Sequence, residues 1–253
     1  MLTKRLQASG ADRTSLNCQS ENAFSLIELL IVVAVVSLLI GLLYPALVRA
    51  REQARKTACA SNLRQIGLAL MMYTADYDES FPNDGNPYLW WGRYWRWLLM
   101  PYLGLLQMHS GNPLKATSGA PDVFLCPSDY IAPQRWDSTS YGYSAAFYHS
   151  AEQINQMRTE DLYMRDPTNY PFPNITQKLA QVTYPSHKAI VAEWLTNHDP
   201  DVKVGWWDWR GSRNYLFVDG HVKFLRAAEI LPAVNGYPDI NLTKDGISGR
   251  DIW

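Results

Sequence analysis

The sequence predicts an α+β protein in which a long N-terminal helix packs on a small antiparallel β-sheet decorated with loops. One observation is an apolar run without a charge at residues 29–48. A second is an apolar stripe at helical spacing directly after that run. A third is a set of short aliphatic and aromatic runs in the C-terminal half, separated by turn residues. A helix followed by strands is the order typical of an α+β fold.

The composition is that of a folded protein with no bias toward polyanions. Apolar residues make up 47% of the 253 residues and charged residues 19%, which is enough apolar material for a substantial core. The 23 basic and 24 acidic residues leave a net charge of −1, so we expect no nucleic-acid partner.

The apolar run at 29–48 has the length of a membrane-spanning helix. It is too long for the apolar part of a secretory signal peptide, and no Ala-x-Ala cleavage site follows it promptly. Basic residues are fewer before the run than after it, so the positive-inside rule alone would place the C-terminal part in the cytoplasm. An ordinary signal anchor is an open alternative on this pattern.

The stripe after the run extends the helix into the globular part of the chain. A single helix is therefore predicted from Phe24 to Tyr77, and Pro45 is expected to bend or loosen it because proline removes a backbone hydrogen bond. The stripe residues recur at steps of three and four: Cys59, Leu63, Ile66, Leu70, Tyr73 and Tyr77.

Shorter elements are predicted after the long helix. A short helical piece is expected near 94–99 inside a loop-rich region. Strands are expected at the short aliphatic and aromatic runs 123–126, 141–147 and 189–192.

Asp219 and Gly220 predict a β-hairpin between the runs 214–218 and 221–225. Asp-Gly fits a two-residue type I′ turn, in which both central residues take positive φ. That turn sets the register: Val218 opposite His221, Phe217 opposite Val222, Leu216 opposite Lys223, and Tyr215 opposite Phe224. The residues then expected to face the long helix are Tyr215, Phe217, Val222 and Phe224.

The start of the apolar run carries a specific motif. Residues 23–34 read Ala-Phe-Ser-Leu-Ile-Glu-Leu-Leu-Ile-Val-Val-Ala and resemble the processing site of type IV prepilins and type II secretion pseudopilins. The resemblance implies that a membrane aspartyl peptidase cuts between Ala23 and Phe24 from the cytoplasmic side and methylates the new amine of Phe24. Ala23 departs from the glycine that this family almost always has before the cut, whereas Pro45 matches a proline common in the family.

The same resemblance implies a domain organisation and a location. Residues 1–23 would be a leader peptide, 24–48 a transmembrane or filament-core helix, and 49–253 a pilin-like globular domain. The chain would cross a bacterial inner membrane once, with a cytoplasmic N-terminus and a periplasmic globular domain that becomes extracellular in filaments. The implied partners are a prepilin peptidase and other pilin-like subunits of the same or a different kind.

Glu28 is a carboxylate at the edge of an apolar helix, where removal from water is costly. A free terminal amine on a neighbouring subunit would neutralise it, which gives Glu28 a role in assembly. Alternatively, Glu28 only marks the cytoplasmic interface of the helix.

Further motifs are spread over most of the chain. Residues 62–69 read Asn-Leu-Arg-Gln-Ile-Gly-Leu-Ala, residues 126–129 read Cys-Pro-Ser-Asp, and Asp219-Gly220 is followed by a histidine. Together they resemble large pilin-like proteins of planctomycetes, verrucomicrobia and related bacteria, which end in a His-x9-Asp-Gly, DUF1559-like region. Trp209 stands at the position of that family's histidine, so a role tied to the histidine has no matching residue here.

The three cysteines are Cys18, Cys59 and Cys126, and their spacing matches neither CxxC nor a paired zinc knuckle, so no zinc site is expected. The resemblance removes Cys18 with the leader and leaves the other two outside the inner membrane, where disulfides persist. A Cys59–Cys126 disulfide would staple the helix to the first sheet segment. Two buried free thiols are the alternative.

No catalytic motif is present among the common hydrolase, protease and nucleotide-binding patterns, and the five histidines lack ligand spacing, so we expect no enzyme and no cofactor. Two acidic pairs, Asp76 with Asp78 and Asp199 with Asp201, are weak candidates for Ca²⁺. Solvated turns explain the same residues.

Seven of the ten tryptophans fall in two clusters with arginine between them. Such aromatic faces can bind sugar rings or another protein, and they can also cover the core of a loop-rich domain. The sequence therefore predicts a filament subunit and, as the alternative, a membrane-anchored module that binds carbohydrate or protein. The residues of this candidate surface are Trp90, Trp91, Trp95, Trp97, Trp206, Trp207 and Trp209.

Overall fold

The computed structural model describes residues 25–86, 89, 93–105, 122–132, 139–163 and 170–253. Within these residues the regular elements are joined by 3₁₀ turns and irregular segments. The helices are α1 (Leu26–Asp76), α2 (Arg93–Leu99) and α3 (Ala151–Gln156). The strands are β1 (Tyr141–Tyr143), β2 (Ala189–Glu193), β3 (Ser212–Phe217) and β4 (Val222–Arg226).

The four strands form one antiparallel sheet in the order β1-β2-β3-β4. A long N-terminal helix with a small antiparallel sheet is an α+β arrangement, so the predicted fold class is confirmed. The short helix expected near 94–99 is also confirmed as α2, and β2 lies where a strand was predicted.

Helix α1 runs without interruption through 51 residues and includes Pro45. The stripe that begins at Cys59 is buried as predicted, except for Tyr77, whose side chain is 54% exposed. The helix ends at Asp76, and Asp78 and Glu79 take positive φ, so the chain turns away before the stripe can continue. Tyr77 instead stacks on the Tyr73 ring, with the centroids 4.2 Å apart.

The chain divides into two compact units, with the boundary between Leu47 and Val48 inside α1. In the first unit, the described residues are exposed along their whole length, including every large aliphatic side chain from Leu26 to Leu47. The second unit holds the rest of α1 and all other described elements.

The sheet separates two layers of core. One layer lies between the sheet and α1 and contains Leu63, Ile66 and Leu216. The other lies on the opposite face and contains Trp206, Tyr215 and residues of the C-terminal segment. The sheet is therefore covered on both faces, which explains why all five residues of β2 are buried.

The predicted register of the hairpin around Asp219 was wrong by one residue. Leu216 pairs with Val222, not with Lys223, and the amide of Gly220 donates to the carbonyl of Phe217 over 2.9 Å. Only Gly220 takes positive φ at the turn, so the loop is a three-residue turn with a glycine bulge and not a type I′ turn.

With this register, Tyr215 and Phe217 do not share a face with Val222 and Phe224, because side chains alternate along a strand and Val222 lies opposite Leu216. Tyr215 and Phe217 point into the layer away from α1, while Leu216 packs against the helix next to Gly67. A methyl group at Gly67 would come within 3.0 Å of Leu216, so the glycine permits this close approach.

The strand predicted at 123–126 was also wrong, and the strand predicted at 141–147 was wrong in part. Residues 123–126 form a 3₁₀ turn and a loop, because the carbonyls of Asp122 and Leu125 accept hydrogen bonds from Asn62 of α1 and do not pair with a strand. The segment predicted as a strand at 141–147 is a strand only over β1. It continues as a 3₁₀ turn, which Ser144 caps by accepting from the amide of Ala146.

Candidate functional site

The N-terminus of α1 is the first candidate site, because it holds the residue predicted to act in assembly. The amide of Ser25 donates to Glu28 Oε2 over 2.9 Å, and the amide of Ile27 donates to Ser25 Oγ over 3.3 Å. Ser25 with Glu28 thus closes the first turn in the manner of a capping box. The S-x-x-E spacing signals such a cap, and the sequence interpretation missed it.

Ala23 and Phe24, the predicted processing site, lie outside the described residues. The described part of the helix begins two residues after the predicted cut. The predicted methylation of Phe24 therefore stays a prediction at this point.

The second site lies where α1 meets the sheet. Cys59 of α1 and Cys126 form a disulfide whose Cα atoms are 5.0 Å apart, and both side chains are buried. The amide of Cys126 donates to Ser140 Oγ over 2.9 Å, which fixes the loop beside β1. The bond joins residues 67 positions apart and holds the helix to the segment that leads into the sheet.

A buried histidine stands beside this disulfide. His198 lies in the loop between β2 and β3, and its Nε2 is 3.5 Å from Cys126 Sγ. Its Nε2 is also 2.9 Å from Glu193 Oε1, while its Nδ1 is 2.6 Å from Glu52 Oε1. The imidazole therefore bridges a carboxylate at the end of β2 and a carboxylate on α1.

Four of these residues hold their ligand atoms within 4.8 Å of one another. We call them the core cluster: Cys59, Cys126, Glu193 and His198. The sequence interpretation missed the cluster because its members come from four separate segments and follow no ligand spacing. By spacing alone, the cysteines match no zinc motif and the five histidines match no ligand pattern.

Glu193 is fixed by the neighbouring strand. The backbone amide of Asn214 donates to Glu193 Oε2 over 2.8 Å, and the side-chain amide of Asn214 donates to Oε1 over 3.2 Å. The Trp206 indole donates to the backbone carbonyl of Glu193 over 2.9 Å. A buried carboxylate with these donors keeps one orientation toward His198.

His198 and Glu52 shift the pKa of each other toward the charged form. Burial by itself lowers the pKa of His198, but the hydrogen bonds to Glu193 and Glu52 outweigh burial and raise that pKa above its usual value. Burial likewise raises the pKa of Glu52, and the hydrogen bonds from His198 and Ser128 more than reverse this, so its pKa is lowered. Each group therefore favours the charged form of the other.

The outer side of His198 opens on a cleft of about 710 Å³. Glu52, Ser128 and Asp199 contribute polar groups to the cleft, and Phe224 contributes an aromatic face. Most of the remaining charged residues are basic: Arg49, Arg51, Arg55, Lys56 and Lys203. The core cluster is thus buried but has a route to solvent on one side.

The motifs at 62–69 and 126–129 meet around this site. Asn62 donates to the carbonyl of Leu125 over 3.0 Å, Ser128 Oγ donates to Glu52 Oε1 over 2.8 Å, and Asp129 accepts from the amide of Ala132 over 3.1 Å. These contacts attach one face of α1 to the loop around the disulfide. The motif at 62–69 therefore lies next to the motif at 126–129 in the structure, although the two are far apart in the sequence.

The candidate tryptophan surface was wrong for Trp95, Trp97 and Trp206. Their side chains are buried, with Trp95 and Trp206 almost completely so, because they fill the core on opposite faces of the sheet. Trp207 and Trp209 are 42% and 40% exposed. Trp90 and Trp91 lie outside the described residues.

The acidic pairs are used in local structure. Asp76 accepts from the hydroxyl of Tyr102 over 2.8 Å, and Asp78 pairs with Lys178 at 2.5 Å. Asp199 accepts from the amide of Asp201 over 3.2 Å, as expected for a turn. Among the described residues, neither pair belongs to a group of three or more potential metal ligands.

Two family models match the chain. Residues 48–185 match a family described as a protein of unknown function (DUF1559), which covers more than half of the chain. The chain belongs to this family. Residues 18–44 match the prokaryotic N-terminal methylation motif, so the resemblance to pilin-like proteins with a prepilin-type start is confirmed. No curated protein and no solved structure matches the chain.

The longer match begins at residue 48, where the second compact unit begins, and the shorter one ends at residue 44. Together they include all three cysteines and end before the hairpin at Asp219. The methylation motif and the long apolar helix fit a type IV pilin-like protein anchored in a membrane by one span. In general, such a motif implies a prepilin peptidase and assembly with other pilin subunits.

Proposed function

We propose that this chain is a structural subunit of a type IV pilus-like or type II secretion pseudopilus-like filament, and that it acts by assembly and not by catalysis. One observation carries the proposal: the methylation motif is joined to a helix whose apolar side chains from Leu26 to Val48 are exposed on all sides. Such a surface requires cover from lipid or from other helices. A filament core of packed helices supplies that cover once the subunit leaves the bilayer.

In this proposal, a prepilin peptidase removes residues 1–23 and the new amine of Phe24 is methylated. The N-terminus faces the cytoplasm and the unit that begins at Val48 lies in the periplasm, or outside the cell in filaments. Like or unlike pilin subunits are the partners, and assembly of this kind needs no cofactor.

Glu28 is the residue that we assign to assembly. Its Oε2 accepts from Ser25, and a carboxylate has acceptor capacity beyond this one bond. When helices pack, Glu28 loses most of its water, and the terminal amine of a neighbouring subunit compensates its charge. The cap and the pairing role are therefore compatible, and they predict different responses to substitution.

The test uses tagged wild-type and variant chains expressed together. Glu28→Leu removes both the cap and the charge, whereas Glu28→Gln keeps an oxygen that accepts from Ser25 but removes the charge. The matched control is Ser37→Leu, which also replaces a polar residue in the apolar half of α1. Among the described contacts, the Ser37 hydroxyl donates only to the carbonyl of Val33. Filaments are sheared from the cells and their subunits identified by intact mass.

We expect all four chains in the membrane fraction, and only wild-type and Ser37→Leu chains in filaments, each starting at a methylated Phe24. Equal recovery of Glu28→Gln from filaments would show that the charge is not needed, and exclusion of Glu28→Leu alone would then assign the effect to the cap. Mature chains that start at Met1, or filaments absent with every chain, would contradict the filament proposal. The second result would favour a membrane-anchored module that uses the exposed Trp207 and Trp209 to bind carbohydrate or protein.

A further inference from the structure

The core cluster combines features that a disulfide by itself does not require. A disulfide needs only its two sulfurs in the right geometry, yet a buried imidazole and a buried carboxylate also stand beside this bond. His198 Nε2 points at both Cys126 Sγ and Glu193 Oε1, at 3.5 Å and 2.9 Å. Two thiolates, an imidazole and a carboxylate are together a ligand set that suits a zinc-type ion.

We propose that the dithiol form of this chain binds one divalent, zinc-type metal ion in the core cluster, and that the disulfide and the metal exclude each other. This inference does not rest on the filament role. Cys59 and Cys126, at the junction of α1 with the sheet, would form a disulfide in one state and bind the metal ion as thiolates in the other.

The first argument is the separation of the ligand atoms. A tetrahedral site with bonds of about 2.0–2.3 Å needs ligand atoms roughly 3.3–3.8 Å apart. The four atoms of the core cluster already lie within 4.8 Å of one another, and they come from α1, the loop at Cys126, the end of β2 and the loop at His198. The two sulfurs must separate, because they are bonded in the disulfide form, and His198 Nε2 must move slightly away from Glu193 Oε1, which lies 2.9 Å from it.

The second argument is the environment of His198. A metal-binding histidine usually donates its other ring nitrogen to a carboxylate, which fixes the ring and its tautomer. Glu52 Oε1 lies 2.6 Å from His198 Nδ1, so Nε2 is the nitrogen left for the metal. Ser128 donates to the same carboxylate oxygen over 2.8 Å, so the supporting group is itself held in place.

The third argument is the environment of Glu193. Both of its oxygens accept from Asn214, and this residue lies on β3 in the centre of the fold. The side chain therefore keeps its position when the disulfide opens. His198 and Glu52 also line the open cleft, which offers a metal ion a path to Nε2.

The conversion balances with a phosphine as reductant. The phosphine takes up the oxygen of one water molecule, the two hydrogens of that water end on the sulfurs of Cys59 and Cys126, and the S–S bond breaks. Metal binding then releases the two thiol protons and any proton on His198 Nε2. In the reverse step molecular oxygen takes two electrons from the two thiolates and two protons from water to become hydrogen peroxide, and the S–S bond forms again. The metal is then released, because a disulfide sulfur is a far weaker ligand than a thiolate.

The test uses the full chain in detergent, with Cys18→Ser so that only the two relevant thiols remain. The protein is reduced with a phosphine, freed of reductant without oxygen and titrated with Co²⁺, whose visible absorption bands report tetrahedral thiolate coordination. The titration is run at moderate salt, which screens the basic residues around the cleft. Oxidised chain, shown by non-reducing peptide mapping to contain the Cys59–Cys126 bond, is the control.

We expect one Co²⁺ per reduced chain with tetrahedral bands, displacement by Zn²⁺, and no bands with oxidised chain. His198→Gln should lose the tetrahedral spectrum, and Glu52→Gln should bind about 10–100-fold more weakly because it removes only the support of the histidine. His221→Gln, at the exposed hairpin, should bind like the parent.

Circular dichroism of each reduced protein shows whether it is folded. A folded, reduced chain without tetrahedral bands would overturn the proposal, and so would full-strength binding by both His198→Gln and Glu52→Gln. If His198→Gln does not fold, the Co²⁺ affinity of Glu52→Gln tests the proposal instead, because Glu52 lies at the cleft and is partly exposed.

Discussion

The two halves of α1 form one continuous helix but bury their side chains in opposite ways. From Leu26 to Val48 every described side chain is exposed, and the large ones are nearly all aliphatic. From Cys59 to Thr74 a single stripe is buried and the other faces are polar or exposed. The first half therefore presents an apolar surface that no described residue buries, whereas the second half is buried against the sheet.

The second half of α1 is also held to the rest of its unit by interactions other than apolar burial. The Cys59–Cys126 bond, the Asn62 side chain and the close approach at Gly67 each attach it to another segment. The side-chain hydrogen bonds described for the first half stay within α1 and its cap, at Ser25, Glu28 and Ser37. The helix is thus continuous in its backbone, while its tertiary role changes along its length.

The largest expected effect tests this contrast with one substitution at three positions. Leu63→Ala should lower the free energy of unfolding of the globular unit by about 3 kcal/mol, because Leu63 is completely buried. Leu68→Ala and Leu38→Ala, at side chains that are 63% and 65% exposed, should each change it by less than about 0.5 kcal/mol. Urea unfolding in detergent, followed by tryptophan fluorescence, measures all three. Similar losses at Leu63 and Leu38 would show that the first half packs on the globular unit.

Lowering the pH is a second way to distinguish the globular unit from the first half of α1. His149 is fully buried against Tyr148, and burial lowers its pKa to about 4, below the value near 6.5 expected in the unfolded chain. Between these values the unfolded state binds the additional proton. The stability that His149 contributes in its neutral form is therefore fully present above pH 6.5 and is lost as the pH falls toward 4, by about 3 kcal/mol.

His149→Phe should flatten this pH dependence of urea unfolding, because Phe fills the same buried site without a titrating group. The helical signal of the first half of α1 in detergent should not follow the acid transition. An unchanged pH profile in His149→Phe would mean that other groups cause the acid sensitivity of the globular unit.

The smallest expected effect compares two glycines of α1. Gly67→Ala should destabilise the globular unit by about 1 kcal/mol, because a methyl group would press on the buried Leu216 and the gain in helix propensity offsets only part of the overpacking. Gly41→Ala meets no neighbouring atom, so the stability of the globular unit should not change. A Gly67→Ala protein that is as stable as the parent would show that Leu216 can move away from the helix.

The parts that sequence patterns predicted best are those governed by local periodicity. The length of α1, the position of its buried stripe and the place of β2 all follow from spacing along the chain. The hairpin at Asp219 was predicted to exist, but its register was wrong. Asp-Gly also suits a three-residue loop in which only the glycine needs positive φ. The tryptophan clusters were ambiguous for a similar reason, because aromatic side chains serve cores and surfaces equally well.

The sequence by itself determined a prepilin-type start, a single apolar helix with two different halves, and an α+β head. These features depend on the order and period of neighbouring residues. Only the tertiary structure decided which face of β3 meets α1, that Trp95 and Trp206 are core residues, and that His198 bridges two carboxylates beside the disulfide. Glu52 and His198 lie 146 residues apart, so their contact exists only because folding brings α1 and the loop after β2 together.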